Sequence, residues 1–112
     1  MELVGMVSMS HSPSWNLEAL EGAPKPYVDA VFRARDLVAR VKPDVLVVFG
    51  PDHVRNFFFD LMPAFCIGLE KVIGFGDFGS PKGELPIRPD FAAHIAKQVL
   101  SAGFDPALSY RM

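Results

Sequence analysis

At 112 residues, 50% of them hydrophobic, the chain has the length of one domain that buries about 65% of the surface its unfolded form exposes. Eleven basic residues against 13 acidic ones give a formal charge of −2, which excludes a broadly basic nucleic-acid footprint. The single cysteine, Cys66, excludes an internal disulfide framework and fits a reducing compartment. No apolar run approaches the ~18 residues of a membrane span, and the first residues open no basic signal region. The expectation is therefore a cytoplasmic chain with neither nucleic acid nor membrane as partner.

The chain opens with an apolar run at residues 3–7, which reads as a buried strand. From Tyr27 to Val41, the apolar residues Val28, Val31, Phe32, Val38 and Val41 recur at helical spacing. Arg33, Arg35, Asp36 and Arg40 lie largely between them, so the segment is an amphipathic helix that Pro43 stops. Residues 44–49 are a second unbroken apolar run, the pattern of a parallel strand covered on both faces. Strand, helix, strand predicts a βαβ unit with a right-handed crossover.

After Gly50-Pro51 the pattern loosens. Residues 57–59 and 64–67 read as strands or a packed loop interrupted by Pro63, and residues 72–75 as a short strand. A second helix begins at Pro89-Asp90, carries Phe91, Ala92, Ile95, Ala96, Val99 and Leu100 on one face, and stops at Gly103. A strand-like segment follows from Pro106 to Tyr110. The prolines and glycines gather at 12–26, 50–51, 74–89 and 103–106, where an α/β protein places its site-forming connections.

Two histidines stand out by position. His11 lies four residues beyond Val7 and His53 four residues beyond Phe49, each at the carboxyl end of an expected strand. Parallel sheets bind ligands in the crevice at those ends. Two imidazoles there suit a metal pair or acid–base chemistry, and each also suits a plain loop cap. His94, on the polar flank of the second helix, has no such placement. Asp52 is placed to fix a tautomer of His53 or to form a solvated turn. The aromatic run at 57–59 is core, or one ring faces a ligand. Residues 74–79 resemble a Gly-rich phosphate loop but lack the following helix with Lys-Ser/Thr. Ser10 and Ser12 sit in no nucleophile elbow, and Cys66 reads as a buried, inert thiol. Arg55, Lys82 and Arg88 are loop cations suited to a carboxylate or to solvent.

The set Ser10-His11-Ser12-Pro13, Pro51-Asp52-His53, residues 57–68, Gly76-Asp77-Phe78-Gly79, residues 83–86 and Ser109-Tyr110 resembles the class III (LigB-type) extradiol catechol dioxygenases from Met6 to Met112. The stretch 57–68 is most similar to the branch that opens 2,3-dihydroxyphenylpropionate. The resemblance implies a three-layer α/β/α fold with a largely parallel or mixed central sheet. It implies a Fe(2+) site of two histidines and one carboxylate, with His11 and His53 as the imidazole ligands, and ring opening of a catechol by O2. Asp52, Phe57 and Asp60 fall where substrate or supporting contacts are expected.

The family's glutamate ligand and its acid–base histidines lie downstream of the position matching Met112, so no acid or base is assigned within the chain. The expectation is the amino-terminal part, residues 1–112, of one LigB-like domain in a homo-oligomeric enzyme, inactive by itself. The other reading is a non-catalytic metal-binding or assembly module derived from the same enzymes.

Overall fold

The computed structural model describes residues 2–10 and 20–112. The chain divides into two compact units, Met1–Gly50 and Pro51–Met112.

The first unit is organised by α1 (Lys25–Val41). Pro24 caps it and a further proline lies in its first turn, where a fixed φ suits the helix and the missing N–H had no partner to lose. Lys25 and Asp29 form an exposed pair at 2.6 Å across one turn, worth a few tenths of a kcal/mol, about 0.3–0.5. At the other end Lys42 adopts the left-handed conformation, φ 49°, while its N–H still reaches the Val38 carbonyl. Pro43 then prevents another turn. Val28, Val31, Phe32 and Val41 are half-buried as their spacing predicts, Val38 is exposed, and no α1 side chain is fully buried.

The βαβ unit expected in this half is not formed. Residues 3–7 and 44–49 have no strand assignment, and Leu3 and Phe49 are 84% and 94% exposed. An unbroken apolar run states a need for cover on both faces and for a ladder partner on each side. It does not supply them. A single amphipathic helix has one apolar face to offer.

The second unit carries the regular β structure. β1 (Cys66–Lys71) leads into β2 (Ile73–Phe75), a 3₁₀ turn (Asp77–Gly79) and β3 (Lys82–Glu84), followed by α2 (Pro89–Ser101) and β4 (Ala107–Arg111). β1 pairs in parallel with β4, Ile67 opposite Leu108 and Gly68 opposite Ser109, with an irregularity before Lys71 pairs with Arg111. The parallel pair bracketing a helix that the sequence suggested for the first half is thus found here. β2 and β3 form an antiparallel pair with Gly74 opposite Gly83. A Cβ at Gly74 would collide with the Pro81 carbonyl oxygen, so only glycine fits this close approach. Met112 joins the two sheets: its N–H donates to Lys71, and its carbonyl accepts from Ile73 N–H at 2.7 Å.

α2 packs on β1. Leu69 on the strand and Ala96 on the helix are buried, at 7% and 4% exposure. Phe91, Ala92, Ile95 and Val99 flank them half-buried, and Leu100, expected on the same face, is exposed. The segments 64–67 and 72–75 resolve into the start of β1 and into β2. Residues 57–59 are loop, with Phe58 and Phe59 exposed. The core reading of those two rings is corrected: the turn that follows, closed by Leu61 N–H on the Phe58 carbonyl, belongs to no sheet.

Candidate metal-binding turn

His53 stands in a tight turn built by its neighbour. The Asp52 carboxylate accepts hydrogen bonds from the backbone N–H groups of Arg55 (2.9 Å), Asn56 (3.0 and 3.1 Å) and Phe57 (3.1 Å), and from the Asn56 side-chain amide (2.6 Å). The Asp52 carbonyl takes a further bond from Arg55 N–H. To wrap three successive N–H groups around one carboxylate, the chain turns through the left-handed region at both His53 and Val54, φ 54° and 59°. Each non-glycine residue there costs about 1–2 kcal/mol, and a β-branched valine is an outlier. The convergent donors offset that cost.

Loss of hydration raises the Asp52 pKa, while the hydrogen bonds from Asn56, Phe57 and Arg55 lower it further, and the balance leaves it at about 2. The same negative charge reaches the start of β1. Partial burial and then Asp52 push the Cys66 thiol above its ordinary value, which keeps it protonated and unreactive. Cys66 is half-buried rather than buried.

The turn is also tied outward. Arg55 Nη2 donates to Asp77 Oδ2 at 2.5 Å, and its guanidinium lies 5.1 Å from the centre of the Phe75 ring. Arg88 is engaged with Asp90 at the start of α2. Two of the three cations expected to receive a substrate carboxylate therefore already hold a carboxylate of the protein.

His11, with the rest of the Ser-His-Ser-Pro motif beyond Ser10, lies outside the described residues. His94 is exposed on α2, as its flank position predicts. Phe57 is half-buried and contributes its N–H to the Asp52 turn, and Asp60 is exposed in the loop beyond. Among the described residues no three of His, Cys, Asp and Glu gather into a metal cage. The sequence did not single out Tyr27. It lines a cavity of about 470 Å³ beside residues 6–10, and its buried hydroxyl has no hydrogen-bond partner among the described residues. A helix tyrosine at an ordinary apolar position gives no sequence signal of this.

Two successive left-handed residues wound by one carboxylate mark the His53 turn as a candidate functional site, because strain of this kind gathers at such sites. Residues 5–112 match the family described as the catalytic LigB subunit of aromatic ring-opening dioxygenase, and the chain belongs to that family. It is 44% identical over 96% of its length to a 2,3-dihydroxyphenylpropionate/2,3-dihydroxicinnamic acid 1,2-dioxygenase of Rhodococcus rhodochrous, covering 34% of that protein. Proteins of the same name are 39% identical in Mycobacterium sp. (strain MCS), over 100% of this chain and 36% of the relative, and 49% identical in Paraburkholderia xenovorans (strain LB400), over 76% and 26%. The chain spans about a third of the length of the first of these relatives.

Proposed function

We propose that the chain is the metal-binding amino-terminal part of an extradiol catechol dioxygenase, with 2,3-dihydroxyphenylpropionate as the ring-opened substrate. Family membership across residues 5–112 supports the reaction class, and the shared name of the relatives supports the substrate. The single observation carrying the site is the wound turn that presents His53. In this reading His11 and His53 supply two imidazoles to Fe(2+), donors that suit divalent iron. Bound iron provides the electron path between catechol and O2 that neither the side chains nor the substrate supply alone. The part of His53 is to hold its ring nitrogen at a fixed place. Asp52 supports the turn rather than ligating, and Phe57 and Asp60 lie on the loop that leads from it. The carboxylate ligand and the acid–base histidines belong to sequence beyond Met112. There the same reading places the remaining layers of a three-layer α/β/α domain, as well as the homo-oligomer contacts of a cytoplasmic enzyme. No helix of the described residues is long and apolar enough to cross a membrane.

The test joins residues 1–112 to the remaining two thirds of the Rhodococcus rhodochrous relative and follows oxygen uptake with Fe(2+). The reading expects a higher kcat/KM for 2,3-dihydroxyphenylpropionate than for unsubstituted catechol, and loss of turnover in His53→Ala. A clear preference for protocatechuate would move the chain to another branch, and undiminished turnover in His53→Ala would remove the histidine from the site.

A further inference from the structure

The sequence places Asp52 beside His53 as a candidate partner of the imidazole, yet in the structure its carboxylate is occupied by the backbone. Three consecutive N–H groups and one side-chain amide converge on its two oxygens, filling the roughly four lone-pair positions a carboxylate has. These donors come from residues 55–57, immediately after the two left-handed residues, so the carboxylate fixes the return of the chain and with it the direction in which residue 53 leaves the backbone. Arg55 performs a second task. It is two residues from His53, and its pair with Asp77 and its stacking on Phe75 attach the turn to the segment after β2. That segment, Gly76-Asp77-Phe78-Gly79, closes the run 74–79 that resembles a phosphate loop, and it belongs to the set of motifs that carries the family resemblance.

We infer that Asp52 is a positioning residue for His53 that acts through the backbone of the turn it winds, and that the Arg55–Asp77 pair anchors this turn to the β2 hairpin. The inference rests on the reading of His53 as a metal ligand. Its geometry makes a specific demand: Asp52 must supply an acceptor oxygen, since its Oδ2 alone takes all three backbone N–H groups. Asparagine keeps one acceptor oxygen and alanine keeps none.

The chain is titrated anaerobically with Co(II), followed by the imidazole proton signals of His11 and His53, in the parent and in His53→Ala, Asp52→Ala, Asp52→Asn and Asp77→Asn. Far-UV circular dichroism checks that the helices persist. His53→Ala is expected to raise the Co(II) needed for half-saturation of the His11 signals at least tenfold, which reports on the ligand reading alone. With that established, Asp52→Ala is expected to weaken binding at least tenfold, Asp52→Asn to recover to within about threefold of the parent, and Asp77→Asn to weaken it two- to fivefold, the scale of an exposed pair. Parent-like affinity in Asp52→Ala, or an Asp52→Asn as weak as Asp52→Ala, overturns the inference while leaving His53 a ligand. If Asp52→Ala loses its helical signal, Asp52→Asn and Asp77→Asn decide: Asp52→Asn more than tenfold weaker, or Asp77→Asn unchanged, counts against it. Unchanged binding in His53→Ala removes the ligand reading and the inference with it.

Discussion

Residues 44–49 and β1 are both six-residue segments, the first almost wholly apolar and the second ending in Glu70 and Lys71, and their surroundings differ. β1 has a parallel neighbour in β4 and α2 laid over it, so Leu69 and Ala96 are nearly sealed from water. Among the described residues, 44–49 have no ladder partner and no helix laid over them, and Leu46, Val47, Val48 and Phe49 are all exposed. Hydrophobic sequence sets the demand for burial, whereas the backbone's hydrogen-bond partners decide whether a strand exists. A monomer rarely leaves so much contiguous apolar surface in water. The relatives are about three times as long as the stretch they share with this chain, so they have ample further sequence with which to meet that demand.

The contrast is sharpest in core substitutions. Leu69→Ala empties a site sealed between β1 and α2 and is expected to destabilise the second unit by about 2–3 kcal/mol in urea unfolding. Val47→Ala, at a position 53% exposed, is expected to stay within about 0.5 kcal/mol. Equal losses at the two positions would mean that residues 44–49 are packed in solution. A second contrast uses glycines. Gly74→Ala drives a methyl group against the Pro81 carbonyl and is expected to cost about 1–3 kcal/mol and to loosen the β2–β3 pair. Gly5→Ala meets nothing within 4 Å and is expected to cost nothing, or to gain up to about 1 kcal/mol from the stiffer unfolded chain.

The smallest effect is electrostatic and confined to the start of α2. Asp90 is held below its ordinary pKa of 3.8, first by the hydrogen bond from the Arg88 side chain and then by the Phe91 N–H. A lowered folded-state pKa contributes stability that is present above 3.8 and fades as pH falls through the depressed value. The Tm of Asp90→Asn should therefore lie below that of the parent at neutral pH, and the two should converge under acid. A gap that widens on acidification would contradict the assignment.

How far the sequence revealed this can be judged residue by residue. α1 and α2 were legible because apolar residues at helical spacing, with proline near each start and Pro43 or Gly103 beyond each end, encode a helix locally. β4 was legible too, and β1 and β2 in outline. The pairing was not, because a ladder depends on residues distant in sequence: β1 finds β4 some forty residues away. His53 drew notice from its place after an apolar run, and the structure puts it in a left-handed turn. The task of Asp52 was not, since a side chain beside a histidine in sequence gives no sign that it will turn onto three following N–H groups. Nor did the loop cation Arg55 announce its attachment to Asp77, twenty-two residues on.

The most direct measurement of the central claim, that the turn after residues 44–49 presents one of two histidine ligands to a single metal, is the stoichiometry of anaerobic Fe(2+) or Co(II) binding in the parent chain and in the double substitution His11→Ala, His53→Ala. The account predicts one metal per chain in the parent, and binding at least tenfold weaker in the double substitution. Binding of equal affinity and stoichiometry in both would contradict it.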